Sequence, residues 1–315
     1  MRSITNDQQN VFAVNAGSNT LTMLTINPMD PTCLRMVGQP ASVPGEFPNT
    51  VAASAKNGLA CAGTTGAQAG ISCASFSKAQ GLGKMDALRK FDIGQSTPPV
   101  GPTNTVSQTF FSNDESVLFT TVKGDPAVNN TGFLSIFNVM SNGKKNAKLS
   151  MKDVRSSPNG TAVLFGSATI PGSKDLFVAD ASFGAAVLTL DKNAQATVAG
   201  SQAINGQKAT CWATVSDATK SAYVTDVANN RVVEMSLKDA SIIKQLDLSA
   251  NGDPGLIDLK AAGNFVYALS PGNGTTPVAI TVLDISGGQG SMKMVQHFTL
   301  DGIAQNSAQG MAVLM

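Results

Sequence analysis

Short, mostly apolar runs broken by Gly, Asn, Asp and Pro fill the chain from Val11 to its end. They are rich in Val, Thr, Phe and Ala. No long stretch keeps an apolar period near 3.6, so the pattern predicts strands rather than helices. The runs group in fours. After NTVAAS (49–54) come GLACAGTT, AGISCASFS and ALRKFDIG; after NTVSQTFFS (104–112) come ESVLFTTVK, TGFLSIFNV and AKLSMKDV. GTAVLFGSA, KATCWATVS and PGLIDLKAA each open a further group of four.

Thr50, Thr105, Thr161, Thr210, Leu256 and Met311 mark equivalent points, spaced 46 to 56 residues apart. A four-stranded unit of roughly 40–50 residues is the signature of a β-propeller blade. The chain starts on three strands, VFAVNA, TLTMLTIN and LRMVGQPA, and stops on a lone apolar one, QGMAVLM. The expected fold is therefore a single all-β propeller of four-stranded blades over residues 11–315, behind a flexible N-terminal arm at 1–10. The count is six blades, with seven as the alternative if two have been merged. Pairing of the N- and C-terminal strands would close the ring and remove exposed edges. The first strand of each blade would line the axis. The turns GEFPNT, GPTNT and SSPNGT would then carry Asn and Thr to one rim.

Composition narrows the function classes. Charged residues are 14% of the chain, against roughly 25% in typical soluble domains. The net charge of +1 supplies no basic field for nucleic acid or anionic lipid. No stretch reaches the ~18 apolar residues of a membrane span. The opening MRSITNDQQN lacks the apolar region of a signal peptide, so the chain is either cytosolic or has lost its signal. A surface of Ser, Thr, Asn and Gln is commoner outside cells. Three Asn-x-Ser/Thr sequons, at Asn129, Asn159 and Asn273, are candidate glycosylation sites, although such triplets also arise by chance.

Four cysteines are present. Cys61 and Cys73 flank the turn GAQA on two short strands. A hairpin would set them opposite each other, either as a disulfide or as two small core residues. Cys33 competes for either partner, and Cys211, beside Trp212, reads as a buried free thiol. The expectation taken forward is a Cys61–Cys73 disulfide in an oxidising compartment. With one histidine and no CxxC, a zinc site is not expected.

The stretches GEFPNTVAASAKNGLACAGTTGAQAGISCASFS, GLGKMDALRKFDIGQSTPPVGPTNTVSQTFFSNDESVLFTTVKGDP and GFLSIFNV resemble fungal secreted 3-carboxymuconate cyclase-like proteins of the lactonase-type β-propeller superfamily. The resemblance covers most of residues 11–315 and is dense over 45–140. It implies a propeller, a secreted or cell-wall location, and action on a lactone or unsaturated carboxylate. The superfamily name speaks of seven blades, whereas the residues count six. Catalytic members are similar to one another in a funnel of His, Arg and Glu. Here the single histidine, His297, falls in MVQHFTL, an outer strand, where a surface or packing role is the plain reading.

The remaining candidates lie on turns into inner strands. Glu46 and Arg155 would form an acid/base and carboxylate clamp, and Asn49, Asn104, Lys208 and Asp253 would bind ligand. Solvated loop charges are the bland alternative. Asn49, Asn104, Asn159, Glu46 and Asp253 could instead crowd a calcium ion at the channel mouth, with no cofactor as the default. Gly-x-Ser-x-Gly, Walker, Rossmann and EF-hand signatures are missing. The sequence thus supports two readings. One is a diverged, non-catalytic, monomeric extracellular propeller that binds a small anion or a cell-surface partner, as an antigen or adhesin would. The other is a lactonase or cycloisomerase working at the channel mouth.

Overall fold

The computed structural model describes residues 4–6, 9–140, 147–305 and 308–314. Six antiparallel sheets follow one another along the chain, each a meander with its strands in sequence order. Blade 1 comprises Ile4–Asn6, Asn10–Asn15, Thr20–Asn27 and Asp30–Met36, and blade 2 comprises Pro48–Ser54, Leu59–Thr64, Gly70–Ser77 and Arg89–Lys90. Blade 3 comprises Val106–Phe111, Val117–Val122, Phe133–Met140 and Lys148–Leu149. Blade 4 runs from Leu164–Thr169 through Leu176–Asp180 and Gly184–Leu190 to Ala196–Ala203. Blade 5 runs from Thr210–Ser216 through Ser221–Asp226 and Arg231–Ser236 to Ile242–Asp247. Blade 6 runs from Asp258–Ala262 through Phe265–Ser270 and Ala279–Asp284 to Lys293–Thr299. Helical structure among the described residues is limited to three single 3₁₀ turns. The fold is an all-β propeller of six four-stranded blades.

The chain divides into two compact units, one built on blades 1–3 and the other on blades 4–6. Inside each unit the cores lie between consecutive blades, and the two-residue period of a strand explains how. In blade 2, Leu59, Cys61, Ile71 and Cys73 pack with Val106, Leu118 and Phe137 of blade 3. The intervening Ala60, Ala62 and Ala74 face the other way, onto Phe12, Val14, Leu21 and Met23 of blade 1. Successive side chains point to opposite sheet faces, and here both faces are covered. Blade 5 repeats the device. Ala222, Val224, Val233 and Met235 meet blade 4, whereas Tyr223 and Val232 meet blade 6. The middle strands therefore read as continuous apolar runs rather than alternating ones.

Cys61 and Cys73 stand directly opposite in the blade 2 ladder and form a disulfide, with Cα atoms 4.0 Å apart. Cys211, expected to be buried, is half-buried, as is Cys33.

One expectation needs correction. The first sheet is not completed by the C-terminal strand. Its innermost member is Ile4–Asn6, paired antiparallel to Asn10–Asn15, with Ile4 opposite Ala13. Residues 308–314 form no strand. The backbone N–H of Met311 is donated to the Asp258 carboxylate instead, so it is not available to a ladder. Of the expected N-terminal arm, residues 1–3, 7 and 8 lie outside the described residues.

Candidate functional site

Within each unit the first strands of neighbouring blades lie side by side, but no β-ladder joins them among the described residues. Side chains bridge the gap. The Asn49 side-chain amide donates to the Val106 carbonyl at 2.6 Å, and the Val106 N–H donates to Thr65 Oγ1 at 2.8 Å. The Thr109 N–H donates to Thr50 Oγ1 at 2.9 Å. In the second unit the Ala261 N–H donates to Thr214 Oγ1 at 3.1 Å. The recurring threonines also fasten their own turns. Thr105 and Thr161 each donate to the proline carbonyl three residues back, from Oγ1, at 2.8 Å. In blade 2 the Asn-Thr pair is thus a tie to the backbone of blade 3.

A second regularity was not visible in the sequence. In four blades the inner strand carries one extra residue against its neighbour, at the same place near its start. The register shifts fall between Pro48 and Thr50, Val106 and Gln108, Leu164 and Ser167, and Thr210 and Ala213. Such bulges break the strict alternation of side chains and re-aim the residues within them. In blade 2 the re-aimed residue is Asn49. In blades 4 and 5 they are Phe165 with Gly166, and Cys211 with Trp212.

Phe165 and Trp212 meet edge to face, with ring centroids 5.9 Å apart. Gly166 permits this approach. A Cβ there would lie 2.5 Å from Trp212 Cα and 2.7 Å from the Ala213 nitrogen. On the unbulged inner strand of blade 6, Lys260 sets its ammonium 5.6 Å from the centre of the Trp212 ring. Phe165, Trp212 and Lys260 are all half-buried. Asp258 lies 3.6 Å from Lys260 Nζ and is itself nearly buried. Its Oδ1 accepts the Leu259 N–H and its Oδ2 the Met311 N–H, each at 2.7 Å. Those donors and Lys260 take up three of the carboxylate's roughly four acceptor positions. The arrangement offers a cation beside an aromatic platform. It leaves little of Asp258 to act as a base.

The residues expected from sequence fare differently. Glu46 and Arg155 do not form a pair. Glu46 accepts from the Thr97 hydroxyl, and its backbone is bonded to Gly66 and Gln68. Arg155 pairs with Asp153 at 2.6 Å, donates to the Lys90 carbonyl, and lies against the rings of Phe91 and Phe133, which meet edge to face. Its neighbours belong to the outer parts of blades 2 and 3, because Val154–Ser156 pairs with the third strand of blade 3 rather than leading directly inward. Asn104 is half-buried with φ +51°, in the turn it was assigned to. Lys208 is exposed, and its N–H donates to Asp226.

Asp253 turns to the outermost strand of blade 6. Both its oxygens lie 3.0–3.1 Å from His297 Nε2, and its side chain is 1% exposed. Glu46 is thus engaged by Thr97 and Asp253 by His297. No group of three His, Cys, Asp or Glu side chains suited to a metal occurs among the described residues. Asn129, Asn159 and Asn273 are all exposed.

Trp212 and Lys260 could have been found. Phe165, Trp212 and Lys260 are spaced 47 and 48 residues apart, about one blade period. Residues at the same phase of the repeat come to lie side by side on adjacent inner strands. The shift introduced by the bulges has no sequence signal of its own.

No protein-family model matches the chain, and no curated protein matches its sequence. Solved structures do resemble it in fold. The periplasmic gluconolactonase of Pseudomonas aeruginosa superposes with a TM-score of 0.70 at 13% identity, covering 95% of this chain and 85% of that one. A candidate 6-phosphogluconolactonase from Bacteroides uniformis gives 0.67 at 14%, covering 90% and 80%. The WD40 repeats of RRP9 give 0.62 at 8%, covering 96% and 80%. At these identities the likeness concerns the fold, which this chain shares with lactonase-type propellers and with propellers of other kinds.

Proposed function

We propose that this protein binds a small carboxylate-bearing molecule on the inner strands of blades 4–6, as a diverged, non-hydrolytic relative of the lactonase-type propellers. One observation carries the reading: the Lys260 ammonium stands beside the half-exposed face of Trp212. Lysine would neutralise the carboxylate, and Trp212 with Phe165 would cover the apolar side of the ligand. Histidine is absent from this cluster, and three of the roughly four acceptor positions of Asp258 are taken up, which favours binding over turnover. The buried Cys61–Cys73 disulfide supports an oxidising, extracellular setting.

Lactone hydrolysis is the second reading, favoured by the likeness to a gluconolactonase. Lys260 would then stabilise the oxyanion formed as water attacks the ring carbonyl.

Trp212 is the only tryptophan, so its fluorescence reports on this site alone. Gluconate and 6-phosphogluconate should change it saturably. Lys260→Ala should weaken binding by roughly ten- to a hundredfold, as expected for a lost bond to a charged group. A flat titration, or one indifferent to Lys260→Ala, rejects the binding site. Release of acid from glucono-δ-lactone that falls with Lys260→Ala selects the lactonase reading.

A further inference from the structure

The inner strand of blade 6 pairs with Phe265–Ser270, and in that ladder Tyr267 stands directly opposite Lys260. Directly opposed residues carry their side chains on the same sheet face, with Cβ atoms about 5 Å apart. On its other side this inner strand lies against that of blade 5. Lys260 therefore has Tyr267 as one aromatic neighbour and Trp212, whose ring centre is 5.6 Å from its ammonium, as the other. The aromatic row continues at both ends. Ring centroids of Phe165 and Trp212 are 5.9 Å apart, and those of Phe265 and Tyr267 are 6.4 Å apart. Tyr267 is half-buried and Phe265 is exposed. Among the described residues the Tyr267 hydroxyl has no hydrogen-bond partner.

The polar groups of this row can all donate: the Lys260 ammonium, the Tyr267 hydroxyl and the Trp212 indole N–H. Acceptors are scarce. Asp258 already serves Lys260 and two backbone N–H groups, and Thr214 Oγ1 accepts the Ala261 N–H. A carboxylate only accepts, so it suits such a set. Each hydroxyl of an open-chain sugar acid would bring a donor in need of an acceptor, and an unmet donor costs free energy once covered. The aromatic side chains instead match a flat, unsaturated body.

We infer that the ligand is an aromatic carboxylate of the benzoate class, its carboxylate held by Lys260 and the Tyr267 hydroxyl and its ring laid against the aromatic row. The inference rests on the carboxylate-binding reading above and narrows it to one chemical class. Tyr267 is then a binding residue that fixes the carboxylate, and Trp212 sets the preference for a flat body.

Calorimetry with benzoate and gluconate tests this. Wild-type protein should bind benzoate about tenfold more tightly than gluconate, which is what an aromatic contact adds. Cyclohexanecarboxylate, similar in bulk but not flat, should bind less tightly than benzoate. Tyr267→Phe keeps the ring but removes the hydroxyl. It should weaken both acids by about tenfold and leave the unfolding transition in place. Trp212→Leu should cost benzoate its advantage while gluconate binding stays close to wild type. Phe165→Leu is the milder change to the same row and should shrink that advantage if the first variant does not fold.

Gluconate or cyclohexanecarboxylate binding as tightly as benzoate overturns the aromatic class and leaves the carboxylate reading standing. Undiminished benzoate binding by folded Tyr267→Phe overturns the placement of the carboxylate at Tyr267. If none of the acids binds the wild type, the carboxylate reading itself fails, and this inference with it.

Discussion

Blade 2 and blade 5 carry the same bulge at the same place on their inner strands and use it differently. In blade 2 the re-aimed residue is Asn49, which spends its amide donor on the backbone of Val106. In blade 5 it is Trp212, which presents a half-exposed ring to Phe165 and Lys260. Both positions solve the problem that inner strands cannot pair with one another. Blade 2 solves it with hydrogen bonds, and nothing is left over for a ligand except a buried Asn49 Oδ1 without a partner. Blade 5 delegates the tie to Thr214, four residues after the bulge begins, so the Trp212 side chain is not the one that makes it. A repeated backbone device is therefore not by itself a repeated site. Its chemistry depends on whether another side chain has already satisfied the neighbouring backbone.

The largest effect that would sharpen this contrast concerns the disulfide, which lies in the unit containing blades 1–3. Cys61→Ala with Cys73→Ala should destabilise that unit by about 2–4 kcal/mol, the usual range for a native disulfide. Hydrogen exchange should locate the loss in blades 1–3 and leave the Trp212 emission of folded protein in place. Equal loosening of blades 4–6 would show that the two regions unfold as one.

Next comes Gly166→Ala. The new Cβ meets backbone atoms at 2.5–2.7 Å, so the inner strands of blades 4 and 5 must separate. Overpacking of this kind costs about 1–3 kcal/mol. The Trp212 emission should shift with it, because the ring loses its seat against blade 4. Thr50→Val should cost a comparable ~1–3 kcal/mol by leaving the Thr109 N–H unpaired, but without moving the emission. If both variants shift the emission, the division between a structural and a recognition face is wrong.

Lys260→Ala should be smaller still on stability, within about 0.5 kcal/mol, since its ammonium is partly exposed and its ion pair is long. Chemical denaturation measures it. A loss of several kcal/mol would reclassify Lys260 as a structural residue.

The smallest effect belongs to acid. Asp114 accepts from the hydroxyls of Ser112 and Ser116, which, with the Ser116 N–H, pull its carboxyl down to about 2. Asp239 and Asp284 are lowered for the same reason, by the hydroxyls of Ser241 and Ser286 respectively. A carboxyl whose folded value lies below its unfolded one adds stability that is complete above the unfolded value. That stability is lost as the pH falls through the folded one. The Asp114 turn should loosen between about pH 4 and pH 2. The turns at Asp239 and Asp284 should likewise loosen only below the ordinary carboxylate range. Carboxyl NMR titrations would follow each. An Asp114 titrating at the ordinary carboxylate position would remove the effect from blade 3.

His297 shows where a plain reading of the sequence held and where it fell short. Its position in MVQHFTL identified an outer strand, and the structure puts it on the outermost strand of blade 6. Nothing in the sequence linked it to Asp253, 44 residues away, yet that contact engages both oxygens of the Asp253 carboxylate. Arg155 likewise has neighbours that the sequence did not link to it. Its neighbourhood looked like a turn before an inner strand. In the folded chain it is held by Asp153, Phe91 and Phe133.

The sequence by itself determined the strand content, the grouping in fours, the six blades and the facing of Cys61 with Cys73. Each of these depends on local patterns: a two-residue apolar period, Gly and Pro at turns, and a spacing symmetric about one short loop. Tertiary structure alone decided which side chains bulge inward, that Phe165 and Trp212 meet edge to face over Gly166, and that Ile4–Asn6 rather than the C-terminal segment completes blade 1. Those outcomes turn on contacts between residues a whole blade apart. One extra residue in a strand reverses the facing of its side chains, and a single committed backbone donor removes a segment from a sheet. Neither event changes the pattern of apolar and polar positions, so neither could be read from it.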